Sequence, residues 1–91
     1  MQNLLRTGAV IKVPNDQIGE TVVDEVFTQD EADRYKDNHV VASRCDTFVG
    51  RDAGDNLFVL SQGEYMYWDH ETDILIPLGR VISDFVVGYE E

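Results

Sequence analysis

The sequence has little cysteine, little positive charge and no long apolar run, and each shortage excludes a class of protein. Its 91 residues contain a single cysteine, Cys45, so no disulfide can form within the chain. No apolar run approaches the roughly 20 residues of a membrane-spanning helix. Residues 1–8 also lack the apolar stretch of a signal peptide. These absences predict a cytoplasmic protein, because small secreted domains depend on disulfides.

Positive charge is the second shortage. Seven Lys and Arg face eighteen Asp and Glu, which gives a formal net charge of −11. Without a basic patch to release counterions, direct binding to nucleic acid or to an anionic membrane is disfavoured. The acidity has two readings, solubility and electrostatic steering towards a basic partner. A charge of magnitude about 2–8 already suffices for solubility, so we favour steering.

Motifs for catalysis and for metal binding are also missing. The chain has no Gly-x-Ser-x-Gly sequence and no phosphate-binding glycine loop. The acids of residues 69–73 resemble a calcium loop, but Ile74 stands where that loop needs glycine. A histidine without a partner four residues away is weak evidence for zinc. We therefore predict a solvated turn, no catalytic residue, no metal and no cofactor.

What is present indicates a folded chain, since 43% of the residues are hydrophobic and nine aromatics run from Phe27 to Tyr89. The β-branched run at 8–14 predicts a first strand. Residues 20–27 fit a helical stripe or a strand, and we favour the strand. Thr28 and Glu31 have capping-box spacing, which predicts a helix over 28–37.

The second half of the chain is dominated by a predicted hairpin. Residues 57–60 and 64–68 are two β-rich runs joined through a Gly-containing turn. Residues 39–43 read as a strand, and the Gly, Asp and Asn of 46–56 indicate a loop. Residues 80–87 are compatible with a final strand or with a terminal helix.

Together these elements predict an α+β fold with a single domain over residues 1–91. It would contain an antiparallel sheet of about five strands and one or two short helices. The predicted core comprises Val10, Ile11, Val13, Val22, Val26, Phe27, Val40, Val41, Phe48, Leu57, Val59, Leu60, Tyr67, Trp68, Ile74, Ile76, Val81 and Phe85.

Two features leave alternatives open. Cys45 is either a reactive thiol or a small buried hydrophobe, and the second state is favoured. The aromatics from Tyr65 to Trp68 form either an exposed binding platform or part of the core. In a chain with so small a core, we favour burial.

One segment resembles the SUKH superfamily of Smi1-like proteins, which includes many bacterial immunity proteins. Residues 50–60 read Gly-Arg-Asp-Ala-Gly-Asp-Asn-Leu-Phe-Val-Leu, and Gly63 and Tyr-Trp-Asp-His-Glu-Thr at 67–72 follow. In that family a Gly/Asp-rich segment opens a strand, a hairpin follows and a Trp-Asp-His-Glu-like segment closes it. Ser83-Asp84-Phe85 looks like the family's closing segment. The resemblance covers roughly the C-terminal half, and it implies toxin neutralisation by binding, with no catalytic residue.

These observations predict an inhibitor that docks carboxylates onto a basic nucleic-acid-handling enzyme. It would be an immunity protein against a nuclease toxin, or a phage antagonist of a host defence nuclease that mimics nucleic acid. The alternative is a structural or assembly subunit that acts by self-association. We expect a monomer or small homo-oligomer. The predicted partner-binding residues are Asp30, Asp33, Asp37, Asp52, Asp55, Asp69, Glu71 and Asp73.

Overall fold

The structure, a computed structural model, describes residues 5–90, and one sheet organises that range. Within it lie a ten-residue helix, α1 (Gln29–Asn38), and two 3-10 helices, Val40–Arg44 and Ile82–Asp84. The strands are β1 (Ala9–Lys12), β2 (Glu20–Val26), β3 (Thr47–Asp52), β4 (Leu57–Ser61), β5 (Glu64–Asp69), β6 (Ile74–Gly79) and β7 (Val86–Tyr89).

The sheet is antiparallel at every pairing and has the strand order β6-β5-β4-β3-β2-β1-β7. Register shifts interrupt four of the six pairings, and such bulges bend and twist a sheet. The sheet is curled, because Ile76 of β6 and Ile11 of β1, strands far apart in the order, share one core. The α+β prediction is confirmed, whereas the described residues form seven strands instead of about five.

Apolar side chains pack on both faces of the sheet. The curled-face core lies inside the bend and includes Ile11, Phe58, Tyr67 and Phe85. The helix-face core lies under α1 and the first 3-10 helix. Its buried members are Ala32, Val41, Cys45, Phe48, Leu57, Val59 and Trp68. Alternate side chains along the hairpin therefore pack into different cores, as expected for a strand pair covered on each side.

The predicted strand at 39–43 is wrong, because residues 40–44 form the first 3-10 helix. His39 caps it, with Nδ1 accepting a hydrogen bond of 3.2 Å from the Val41 backbone N–H. Lys36 donates from Nζ to the carbonyls of Ala42 and Cys45 at the other end. Val41 is fully buried, but Val40 is 76% exposed, contrary to its predicted place in the core.

The predicted loop at 46–56 is also wrong over most of its length, since residues 47–52 form β3. Gly50 suggested a turn, yet it lies within this strand because the β2 backbone passes very close. A Cβ atom at Gly50 would come within 2.3 Å of the Glu25 carbonyl oxygen. The glycine therefore permits close strand approach.

The hairpin and the helix are confirmed. Gln62 (φ 53°) and Gly63 (φ 79°) join β4 to β5, and two positive φ angles are typical of a type I′ turn. At the start of α1, the Thr28 hydroxyl accepts from the Glu31 N–H, and the Glu31 carboxylate accepts from the Thr28 N–H. Residues 20–27 contain the favoured strand, β2.

The C-terminal segment takes both of its predicted forms in turn. A 3-10 helix at 82–84 is followed by β7, so β6 and β7 are the two edges of the sheet. Two further predicted core residues are exposed, Ile74 at 51% and Val81 at 50%. Ile74 begins edge strand β6, and Val81 precedes the 3-10 helix, so neither is covered by a neighbouring element.

Candidate partner-binding surface

The topology brings three turns together at one end of the sheet. Because neighbouring strands are antiparallel, the β1–β2, β3–β4 and β5–β6 turns all project from the same end. We call this the acidic end and define it by five carboxylates, four on these turns and one, Asp69, at the end of β5. They are Asp16, Asp55, Asp69, Glu71 and Asp73.

Asp52, at the end of β3, holds the β3–β4 turn through hydrogen bonds to its backbone. It is 3% exposed. Its Oδ2 accepts hydrogen bonds from the Tyr67 hydroxyl at 2.6 Å and the Thr21 hydroxyl at 2.7 Å. Its Oδ1 accepts from the backbone N–H groups of Gly54 and Asn56, both at 3.0 Å. The carboxylate therefore joins β2, β3 and β5 and shapes the turn, and it is shielded from solvent.

The pKa of Asp52 reflects two opposed effects. Burial raises it, but the hydrogen bonds from Tyr67, Thr21 and Asn56 favour the ionised form and together leave the pKa below its ordinary value. Burial also raises the pKa of Tyr67, and its bond to the Asp52 carboxylate raises it further. Tyr67 thus remains a donor and Asp52 an anion throughout the neutral range.

Asn56 connects the middle turn to the β5–β6 turn. Its Oδ1 accepts from the His70 backbone N–H at 3.0 Å and lies 2.7 Å from His70 Nδ1. Its Nδ2 approaches Asp52 Oδ2 at 3.3 Å. A chain of polar contacts therefore runs from the buried carboxylate to His70, so the two turns are positioned relative to each other.

Two of the carboxylates in the β5–β6 turn are partly engaged in holding that turn. Asp69 accepts from the Glu71 N–H and from the Thr72 hydroxyl. Asp73 Oδ1 accepts from Trp68 Nε1 at 2.8 Å and pairs with Arg44. The Trp68 bond and the Arg44 bond lower the pKa of Asp73. Asp16, Asp55 and Glu71 remain exposed and are the carboxylates most available to a partner.

Arg51 neutralises only part of the adjacent surface. Its guanidinium lies 2.9 Å from Glu25, 3.4 Å from Asp24 and 3.8 Å from Asp55. Three carboxylates around one cation leave a net negative charge beside the acidic end. Asp16, Asp24 and Glu25 were not among the predicted partner-binding residues, although Asp16 directly follows Pro14 and Asn15, which are typical turn residues.

The helical acids form a separate exposed set. Asp30, Asp33 and Asp37 lie on α1, outside the three turns. Asp33 accepts from Gln29 Nε2 at 2.9 Å. Of the eight predicted residues, the structure thus groups Asp55, Asp69, Glu71 and Asp73, places three on the helix and buries Asp52.

Cys45 and the hairpin aromatics follow their favoured readings. Cys45 is buried, and burial raises the pKa of its thiol, which is the opposite of an activated nucleophile. Tyr67 and Trp68 are buried as well. His39 packs edge-on against Trp68 with ring centroids 5.0 Å apart, and burial lowers its pKa. These residues form a core and not an exposed platform.

Over residues 5–90, no His, Cys, Asp and Glu side chains cluster in threes with a geometry suited to a metal ion. In the same part of the chain, no helix has the length and apolarity needed to cross a bilayer. Comparison of the sequence with protein-family models and with curated proteins, and of the fold with solved structures, finds no match.

Proposed function

We propose that this protein is an acidic inhibitor that binds and blocks a basic nucleic-acid-handling enzyme in the cytoplasm, without catalysis of its own. The observation that carries the proposal is the acidic end, where three adjacent turns present carboxylates around the hydrogen bonds of Asp52 and Asn56. Carboxylates presented on adjacent turns can occupy the positions that phosphates take in a nucleic-acid groove. Opposite charge also raises association rates by about 10–10³-fold.

Membership of the SUKH superfamily is part of the same proposal. The residues of the resemblance include Asp52, Asn56 and His70, which form the polar chain between two turns of the acidic end. This arrangement supports a role for the segment in shaping a binding surface. An immunity protein and a phage antagonist of a defence nuclease are the two forms that the proposal takes.

The test is capture of the partner from host lysate with tagged variants of matched charge. One variant carries Asp16→Asn, Asp55→Asn and Glu71→Gln at the acidic end. The control carries Asp30→Asn, Asp33→Asn and Asp37→Asn on α1, with the same change in net charge. We expect wild type and control to retain a basic nucleic-acid-handling enzyme at low salt, to lose it at high salt and to inhibit it when purified. The acidic-end variant should neither retain the enzyme at low salt nor inhibit it when purified.

Two results would contradict this assignment. If only the helix variant loses the partner, the contact lies on α1 instead of the acidic end. If the captured enzyme is fully active with the bound protein, binding occurs without inhibition.

A second candidate, an assembly subunit, is favoured by the edge strand β7. Its Val87 and Tyr89 are 57% and 50% exposed and lie on the same side of the strand. The opposite edge, β6, contains Pro77, which lacks an N–H and blocks strand addition. Self-association through β7 predicts an oligomer that resists high salt and that Val87→Lys dissociates, as measured by sedimentation velocity.

A further inference from the structure

A groove of about 640 Å³ lies at the end of the sheet opposite the acidic end. It passes over the ends of β2 and β4 and the beginnings of β3 and β5, next to the start of α1. Phe48 contributes to it from the helix-face core, and Ile82 from the curled-face core. The groove therefore runs between the two cores, and both supply apolar wall.

The groove walls are mainly apolar and include large side chains. Phe27, Leu60, Tyr65 and Val81 line it together with Phe48. Val81 is half exposed, so part of this apolar surface meets solvent. Ligand sites typically have volumes of about 300–1,000 Å³ and combine apolar walls with a few placed polar groups. The groove has the size and the lining of such a site.

Its charge is opposite to that of the molecule. Arg80 is the one charged side chain among the described residues that line it, in a chain with eighteen acids. Arg80 Nη1 approaches the Gln62 carbonyl oxygen at 3.3 Å, and Arg80 forms no ion pair within residues 5–90. The nearby Asp46 and Asp84 do not line the groove, and each accepts a hydrogen bond from a backbone N–H.

We propose that this groove binds a small single-chain amphiphile, a carboxylic acid with an unbranched alkyl tail. The tail would lie along Phe27, Phe48 and Leu60, where burial of apolar area favours binding. The carboxylate would pair with Arg80 at the rim, where a guanidinium can hold both oxygens. This site is independent of the proposed partner surface, since none of its lining residues belongs to the acidic end.

The test compares octanoate with 1-octanol, which share a tail length and differ in charge. Binding is followed by two-dimensional ¹⁵N–¹H NMR of the full chain. We expect octanoate to shift the amides of Thr28, Thr47 and Val81. We expect it to bind about threefold more tightly than 1-octanol, the size of one exposed ion pair.

Two variants separate the charge from the tail. Arg80→Gln should remove the preference for octanoate and leave 1-octanol unchanged. Arg34→Gln, the same change at an exposed position of α1 outside the groove, should preserve the preference. Thr47→Phe fills the groove and should weaken both ligands, and its spectrum shows whether the fold is retained.

Three outcomes overturn the proposal. The first is octanoate that shifts no groove amide up to about millimolar concentration, and the second is an Arg80→Gln variant that keeps the preference for octanoate. The third is a second copy of the chain as the occupant of the groove. Sedimentation would then show a dimer, and the NMR signals of the groove amides would be broadened before any ligand is added. None of these results bears on the acidic end, so the two proposals fail separately.

Discussion

A single carboxylate, that of Asp52, shows how one acid out of eighteen takes a structural role. The residue type and its loop-like neighbours predict a solvent-facing side chain. Its burial follows from a donor on β2, Thr21, and a donor on β5, Tyr67. Both are distant in sequence, so the network could not be predicted from the local pattern. Gly54 and Asn56, two and four residues away, were the available local signals.

Replacement of Asp52 by Asn should destabilise the fold. An amide offers one oxygen where the carboxylate uses two, so buried donors lose their partner, at a cost of about 2 kcal/mol. The measurement is urea unfolding followed by the fluorescence of Trp68, the single tryptophan. Tyr67→Phe removes one donor and should cost about 1 kcal/mol. Asp55→Asn, an exposed change in the same turn, should leave the midpoint unchanged.

The same substitution predicts a pH dependence with a definite sign. The folded-state pKa of Asp52 lies below its ordinary value of 3.8. Its contribution is therefore complete above that value and is lost as the pH falls through the folded-state pKa. The difference in unfolding free energy between wild type and Asp52→Asn should therefore become smaller below about pH 4. A gap that is constant down to pH 2 would show that the charge of Asp52 does not contribute.

At the scale of elements, the sequence predicted correctly those helices and strands that are determined by residues close together in the chain. The capping box of α1 and the β4–β5 hairpin depend on residues within a few positions of one another, and both are confirmed. The 3-10 helix at 40–44 was missed because Val40 and Val41 favour strands. Lys36 and His39, which cap its two ends, override that preference.

Strand β3 was missed for a different reason. Glycine signals a turn when only sequence neighbours are considered. Gly50 is instead required by the backbone of β2, the strand that pairs with β3 but is separated from it in sequence by the helical segment. Recognition of such a position needs the partner strand, which the local sequence does not supply.

The capping box gives the prediction at this scale. Thr28→Ala removes the hydroxyl that accepts from the Glu31 N–H and should cost about 1 kcal/mol of unfolding free energy. Thr28→Ser retains the oxygen and should match wild type in the same urea titration. Equal losses for Ala and Ser would instead assign the effect to the threonine methyl group.

At the scale of the molecule, a net charge of −11 acts on stability and on binding with opposite sign. Self-repulsion destabilises the compact state, and salt screens it over a Debye length of about 10 Å at 0.1 M. The urea midpoint should therefore rise with NaCl concentration, while capture of a basic partner weakens. The triple variant of the acidic end carries less negative charge, so salt should raise its urea midpoint by a smaller amount. A midpoint that falls with salt would show that the ion pairs of Arg51 and Arg44 outweigh the repulsion.

The strand order also determines where the fold opens. Neighbours from β1 to β6 are joined directly in sequence, except for the helical segment between β2 and β3, whereas Val10 of β1 lies opposite Gly88 of β7. Closing that last pair fixes a loop of nearly the whole chain, which carries the largest entropic cost. The first six strands can thus assemble as a ribbon before the seam between β1 and β7 closes. Amide protons along β7 should exchange with solvent soonest, and each opening uncovers Phe85 and a bare edge of β1.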